Sequence, residues 1–275
     1  MADTMQEILD YDLQHGHADF MKVVGPFQAA GVLHDSWYTA GRPVSAGGVY
    51  SGLNGELLAS SENGLYFPEF NTGSEHAHLN RLQVSASGPG TLILIDRIWQ
   101  NQITAVTTTT AQNIIMSVTG RGVADGAKDL MLGLSCSVAT TNGAPITNTT
   151  VTYYNSDATA GRTATLPSWP ANAVAGTFVP FNLQAGDLGV SRCASITLGT
   201  SYVTGTLHLV LFRIIAFVGI NSPTPMKGHR FSEHNALATS NFNAYLGTTP
   251  SWLWMPTGTG AVSQMGRIGW SVMPI

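Results

Sequence analysis

Residues 130–166, LMLGLSCSVATTNGAPITNTTVTYYNSDATAGRTATL, constrain the fold more than any other part of the chain. Residues 130–138 read as one strand. Residues 147–154 read as a second, with Val151, Tyr153 and several threonines that suit a pleated surface. Asn155, Ser156, Asp157 and Gly161 supply turn chemistry, since Asn and Asp tolerate the left-handed region and glycine reaches positive φ without a Cβ clash. Residues 162–166 then return as a third strand. A connection of about six residues is longer than a tight hairpin but still favours antiparallel neighbours. Such a unit belongs in an all-β protein, and nothing in it is arranged like a catalytic centre.

Charge narrows the partners. Only 10% of the 275 residues are charged, against about a quarter in ordinary soluble domains. Either the surface is neutral and rich in hydroxyls, or much of it is covered by other subunits. The second reading is preferred, because a neutral surface keeps a free monomer poorly soluble and interface cores are depleted in charge. The net charge is −4 and no basic run occurs, so the counterion-replacing clusters of a nucleic-acid binder are missing. No apolar span of membrane-crossing length is present, and the N-terminus, MADTMQEILDYDL, has no signal-peptide core. Cys136 and Cys193 read as small buried hydrophobes in a reducing compartment, with a disulfide as the other reading.

In order along the chain, residues 1–50 are punctuated too often by Gly and Pro for long elements. They still carry Phe20, Phe27, Trp37 and Tyr38, which must be buried against something. The preferred reading is an extended arm packing on the body or on a neighbouring subunit. The alternative is an irregular first strand and loops of the same domain. Residues 51–275 form the body. Strands are expected over 75–84, with His76, His78, Asn80 and Leu82 on one face, over 91–100, 177–183 and 190–198, and over 206–218, the most apolar run. Residues 252–272 read as a final hairpin carrying Trp252, Trp254 and Trp270. The expected fold is all-β, a jelly-roll-like sandwich or barrel with an extended N-terminal arm. Phe20, Phe27, Trp37, Tyr38, Trp252 and Trp254 are the candidate interface residues.

Candidate chemistry is sparse. His76 and His78, with Asp96 or Glu75, could hold zinc, but no third ligand sits at a diagnostic spacing. His15 and His17 repeat the pattern with the same weakness. Asp96 and Arg97 are adjacent on the strongest strand and face opposite ways, so each needs a partner elsewhere, with Arg162, Arg192 and Arg213 available. A cross-strand or intersubunit salt bridge is the preferred reading. No nucleophile elbow, P-loop, zinc-protease or dinucleotide motif occurs, and no cofactor or metal is expected. A hydrolase would have to draw on Glu69, Asp96 or Asp187.

Segments 91–112 (TLILIDRIWQNQITAVTTTTAQ), 151–167 (VTYYNSDATAGRTATLP) and 174–198 (VAGTFVPFNLQAGDLGVSRCASITL), with SWYTAGRP (36–43) and the Trp-rich end, resemble structural proteins encoded beside the head genes of tailed bacteriophages. The resemblance implies a capsid decoration or cement protein, often a trimer, seated on the major capsid protein of a virion, with no catalytic residues to carry over. The alternatives are a tail, neck or fibre component, or a glycan-binding host-attachment module.

Overall fold

One strand, 90–100, faces all three parts of the core, and the architecture follows from it. In the computed structural model, described over residues 17–45, 52–59, 64–69, 75–116, 124–221, 224–230, 243–244 and 247–274, the strands in chain order are β1 (His17–Val24), β2 (Leu33–Asp35), β3 (Gly41–Arg42), β4 (Glu56–Leu57), β5 (Glu75–Ala86), β6 (Gly90–Gln100), β7 (Gln112–Asn113), β8 (Met131–Val138), β9 (Thr150–Asn155) and β10 (Arg162–Thr165). They continue as β11 (Thr177–Pro180), β12 (Val190–Thr197), β13 (Thr206–Ile220), β14 (Thr224–Arg230), β15 (Asn243–Ala244), β16 (Pro250–Pro256) and β17 (Val262–Pro274). Strands β13, β8, β11, β2, β16 and β6 pair in that order, and β6 pairs back to β13. They form a closed six-stranded barrel. Sheet β14-β5-β17-β1-β3 covers one flank and sheet β10-β9-β12-β7 the other. The fold is all-β, as expected, with a barrel between two sheets.

Each barrel strand contributes to an apolar interior of Ile95, Phe178, Val210, Phe212 and Leu253, with Leu33, Ile93 and Met131 packed against them. Leu92 and Leu94 of β6 point instead to the first flanking sheet, where they meet Phe20, Leu82, Trp252, Trp254 and Trp270. Ile98 and Trp99 join the second flanking layer with Leu134, Tyr153, Ile196 and Leu209. The alternation read from the sequence therefore holds from Leu92 to Arg97. It breaks at Ile98, where the β13 register slips between Leu211 and Phe212; such a bulge re-aims side chains across a strand.

The described part of the N-terminal segment packs on the body, which both of its readings allow: β1 pairs with β17 over its whole length, alternating exposed His17, Asp19, Met21 and Val23 with buried Ala18, Phe20, Lys22 and Val24. Residues 1–16 and 46–50 lie outside the described residues. Three expectations change. The final hairpin is not formed: β16 pairs with β6 and β2, whereas β17 pairs with β5 and β1. The turn at 256–260 carries the chain from the barrel to the flanking sheet, so the tryptophans of the two strands share one apolar layer between them. In the 130–166 unit, β9 and β10 are neighbours, but β8 lies in the barrel and not beside them. In β5, buried positions pass from Ala77 and Leu79 to Leu82, Val84 and Ala86, because Asn80 is an extra residue opposite the step from Gly269 to Trp270. Asn80 and Leu82 thus fall on different faces.

Candidate assembly interface

The chemistry-bearing residues of the described chain are absorbed by the body. Asp35 ends β2, and its Oδ1 accepts from the Trp37 amide at 3.0 Å, capping the short 3-10 turn Ser36–Tyr38. Its Oδ2 takes the Arg97 Nη2 at 2.5 Å and the Ser135 hydroxyl at 2.8 Å. Arg97 Nη1 donates to Gln100 Oε1 at 2.6 Å, and the guanidinium lies 4.8 Å from the centroid of the Trp37 ring. The salt bridge expected for Arg97 exists, within the chain, to a residue the sequence did not suggest. Asp96 accepts from the Thr249 amide at 2.9 Å and pairs across strands with Arg213, while Arg213 lies 3.4 Å from Asp129.

Around this cluster the titratable groups are held neutral or weakened by burial. His34 and His208 are both pushed down to about 4, chiefly by burial. His208 bridges the Asn101 carbonyl and the Ser137 hydroxyl, each at 2.8 Å, and stacks on Tyr38 at 4.8 Å. Lys22, pushed down to about 8 by burial, donates to the Ser36 carbonyl at 2.8 Å. On the second flanking sheet, Asp187 receives Tyr153, Asn155 and Arg162 at 2.5, 2.9 and 2.8 Å. The Arg162 guanidinium holds its carboxyl well below the usual range. These bonds engage both carboxylate oxygens and pin the 184–187 turn to β9 and β10. Arg192 stacks 3.8 Å over Tyr154. Cys136 and Cys193 are free, buried thiols, the first pushed up to about 12 by burial; they form no disulfide.

Among the described residues no group of three or more His, Cys, Asp or Glu could hold a metal ion, and no helix is long and apolar enough to cross a membrane. The side chains of His76 and His78, and His15 altogether, lie outside the described residues; His17 is exposed at the start of β1.

Of the six candidate interface residues, Phe20, Phe27, Trp37, Trp252 and Trp254 are buried within the single chain, and Tyr38 is half-buried. Phe20 packs 4.6 Å from Trp252, and Phe27 lies edge-on to His34. Their apolar surface serves the core. Exposed large apolar residues are spread over the described chain, among them Ile115, Leu188, Val44 and Val203, and two groups of them lie on opposite sides of one two-layer slab. On the outer face of the first flanking sheet, Met21 and Met265 are cross-strand neighbours, 59% and 49% exposed, beside Val23. The second place is where β6, β13 and β16 run on beyond the end of β8: they form a three-stranded extension whose one face meets that sheet. The other face carries Ile93, Ile214, Phe217 and Met255 around a groove of about 410 Å³. The β1 alternation could have revealed Met21 and Val23 in the sequence once Phe20 was placed inside.

No family model matches the chain, and no curated protein does. Among solved structures, it is similar to infectious bursal disease virus, Gt strain, at 9% identity, covering 94% of this chain and 81% of that one, with a TM-score of 0.19. It is also similar to the VP2 subviral particle of that virus at 11% identity, covering 95% and 81%, with a TM-score of 0.17. The D431N VP2 protein that forms derived T=1 particles matches at 9% identity over 95% and 78%, with a TM-score of 0.16.

Proposed function

We propose that this chain is a non-enzymatic structural protein of a virion, which decorates and stabilises a phage capsid by seating the outer face of its first flanking sheet on the major capsid protein. The observation that carries this is the uncovered Met21–Met265 pair with Val23. An exposed apolar centre rimmed by the Asp19–Arg267 ion pair has the layout of a docking surface, an apolar middle with a polar edge. The low charge of the whole chain and the resemblance of its strand-and-turn segments to phage head proteins support the same reading. So does the absorption of the described buried charges into intramolecular contacts. The arm read from residues 1–50 of the sequence would add a second contact. Tying an arm contact to a sheet contact multiplies weak affinities through effective concentration.

The test is cosedimentation of purified protein with bare capsids. Binding is expected to fall at least tenfold in the double variant Met21→Asp/Met265→Asp and to weaken on deletion of residues 1–16. Unchanged binding in both variants, or absence of the protein from purified particles, overturns the proposal.

A further inference from the structure

We infer that the uncovered face of the β6–β13–β16 extension is a self-docking surface that pairs two copies of this chain about a two-fold axis. Phe217 of each copy then seats over Gly219 of the partner subunit. This deepens the assembly reading above and rests on it in one respect: the pair is taken to be the unit that reaches the particle.

The face is a continuation of the barrel interior. On β6 the residues facing inward are Ile93, Ile95 and Arg97, and β13 opposes them with Phe217, Ile214 and Phe212. Inside the barrel that surface is covered by the other strands. Beyond the last pairing of β8, at Met131 with Phe212, no described strand covers the same face, and Phe217, Ile214 and Met255 are 68%, 42% and 39% exposed. An apolar face that changes from core to surface along one strand is a core lacking its second layer.

One observation chooses a second copy as that layer, a second permits it, and a third sets its strength. First, knob and hole lie together. Phe217 projects, and two residues on, Gly219 faces the same groove with open space where a Cβ would stand. An isologous contact requires that one patch be complementary to itself. Sheets packed face to face lie about 10 Å apart, a gap that a phenylalanine ring spans when the opposing residue has no side chain. Met255, unbranched and adaptable, fills what the rings leave.

Second, charge permits it. No charged residue lines the groove, so a two-fold axis brings no like charges together, as it would on a patch with a net charge.

Third, area sets the strength. Phe217 offers most of an aromatic side chain's 150–250 Å², and with Ile214 and Met255 the apolar centre is about 300 Å² per copy. That is well short of the roughly 800 Å² per partner of a standard stable interface. The pair is therefore expected to be weak and concentration-dependent in solution, and to become effective on a lattice that holds copies close.

The experiment is sedimentation equilibrium over a concentration series, with two variants at exposed positions. Phe217→Asp removes the knob, and Gly219→Ile fills the hole without a clash in the single chain. The parent is expected to move from 29.1 kDa towards twice that mass. Each variant should weaken pairing at least tenfold while melting where the parent melts. A parent that stays monomeric throughout, or a larger species, trimer included, that both variants leave unchanged, overturns the inference. Capsid cosedimentation separates the two proposals. Pairing without capsid binding sinks the decoration reading alone, and capsid binding without pairing sinks this one alone.

Discussion

Arg97 Nη2 and Asp35 Oδ2 lie 2.5 Å apart with both side chains fully buried, joining β6 to β2 across the barrel. The pair is flanked by the Ser135 hydroxyl from β8 and by Gln100, so three barrel strands converge on one carboxylate. Such a pair is costly to break because the charge left behind is desolvated and alone. Asp35→Ala and Arg97→Ala are each expected to cost about 3–5 kcal/mol in urea-induced unfolding. The double change Asp35→Leu/Arg97→Met should cost less than either single one. A double variant less stable than both would mean that the bridge itself, and not the orphaned charge, carries the energy.

The two buried histidines make the protein acid-sensitive. His34 and His208 titrate near 4 in the fold and near 6.5 when unfolded. The unfolded chain therefore takes up the protons first as pH falls. The stability is fully present above about 6.5 and is lost progressively down to about 4, by up to about 3 kcal/mol per ring. Asp35 opposes the effect at His34, and the Asn101 carbonyl opposes it at His208. Urea midpoints at pH 7, 5.5 and 4.5 should fall steeply for the parent and less steeply for His208→Gln, which starts lower at pH 7. Equal slopes would show that the His208 ring is not held neutral.

Gly133 sits under the Phe178 ring inside the barrel, and a Cβ there would collide with it. Phe178 cannot retreat freely, because it also meets Phe212 edge-on at 5.4 Å. Gly133→Ala is expected to cost about 1–3 kcal/mol through overpacking. Combined with Phe178→Leu, the loss should be smaller than the sum of the two single losses. Additive losses in thermal unfolding would place the ring elsewhere.

Long strands were legible in the sequence because apolar residues on both sides of β6 and β13 can satisfy only a strand covered twice. What covers them was not. Arg97 announced a need for a partner, but Asp35 is 62 residues away, and periodicity carries no information about which distant strand lies opposite. Strands of two or three residues, such as β2, β3 and β7, leave no periodic trace. The extra residues at Asn80 and Ile215 shift the phase of long strands without any Gly or Pro to mark them. The Gly-rich turn after Pro256 looked like that of a hairpin because turn chemistry states that the chain reverses, not which sheet it enters. The surfaces were least legible of all: Phe212 and Phe217 stand on the same strand in similar company, one buried in the barrel and the other exposed. Only the end of β8 separates them.

The turn that defeats the hairpin places Trp252 opposite Gln264, and this contact gives a direct check of the layer arrangement. Trp252 Nε1 donates to Gln264 Oε1 at 2.8 Å, buried between the barrel and the first flanking sheet, with Phe20 at 4.6 Å and Lys22 Nζ at 5.2 Å from the indole. Trp252→Phe removes the donor and leaves a buried amide oxygen without its partner, a loss of about 1–3 kcal/mol in addition to the smaller ring's lost packing. Replacing both members, as Trp252→Phe/Gln264→Met, removes the orphaned group as well and should recover part of that loss. The comparison is read from equilibrium unfolding of the parent, the two single variants Trp252→Phe and Gln264→Met, and the double variant. Recovery in the double variant ties β16 to β17 across the two layers. A double variant that loses the sum of both single changes would show that the two side chains do not meet.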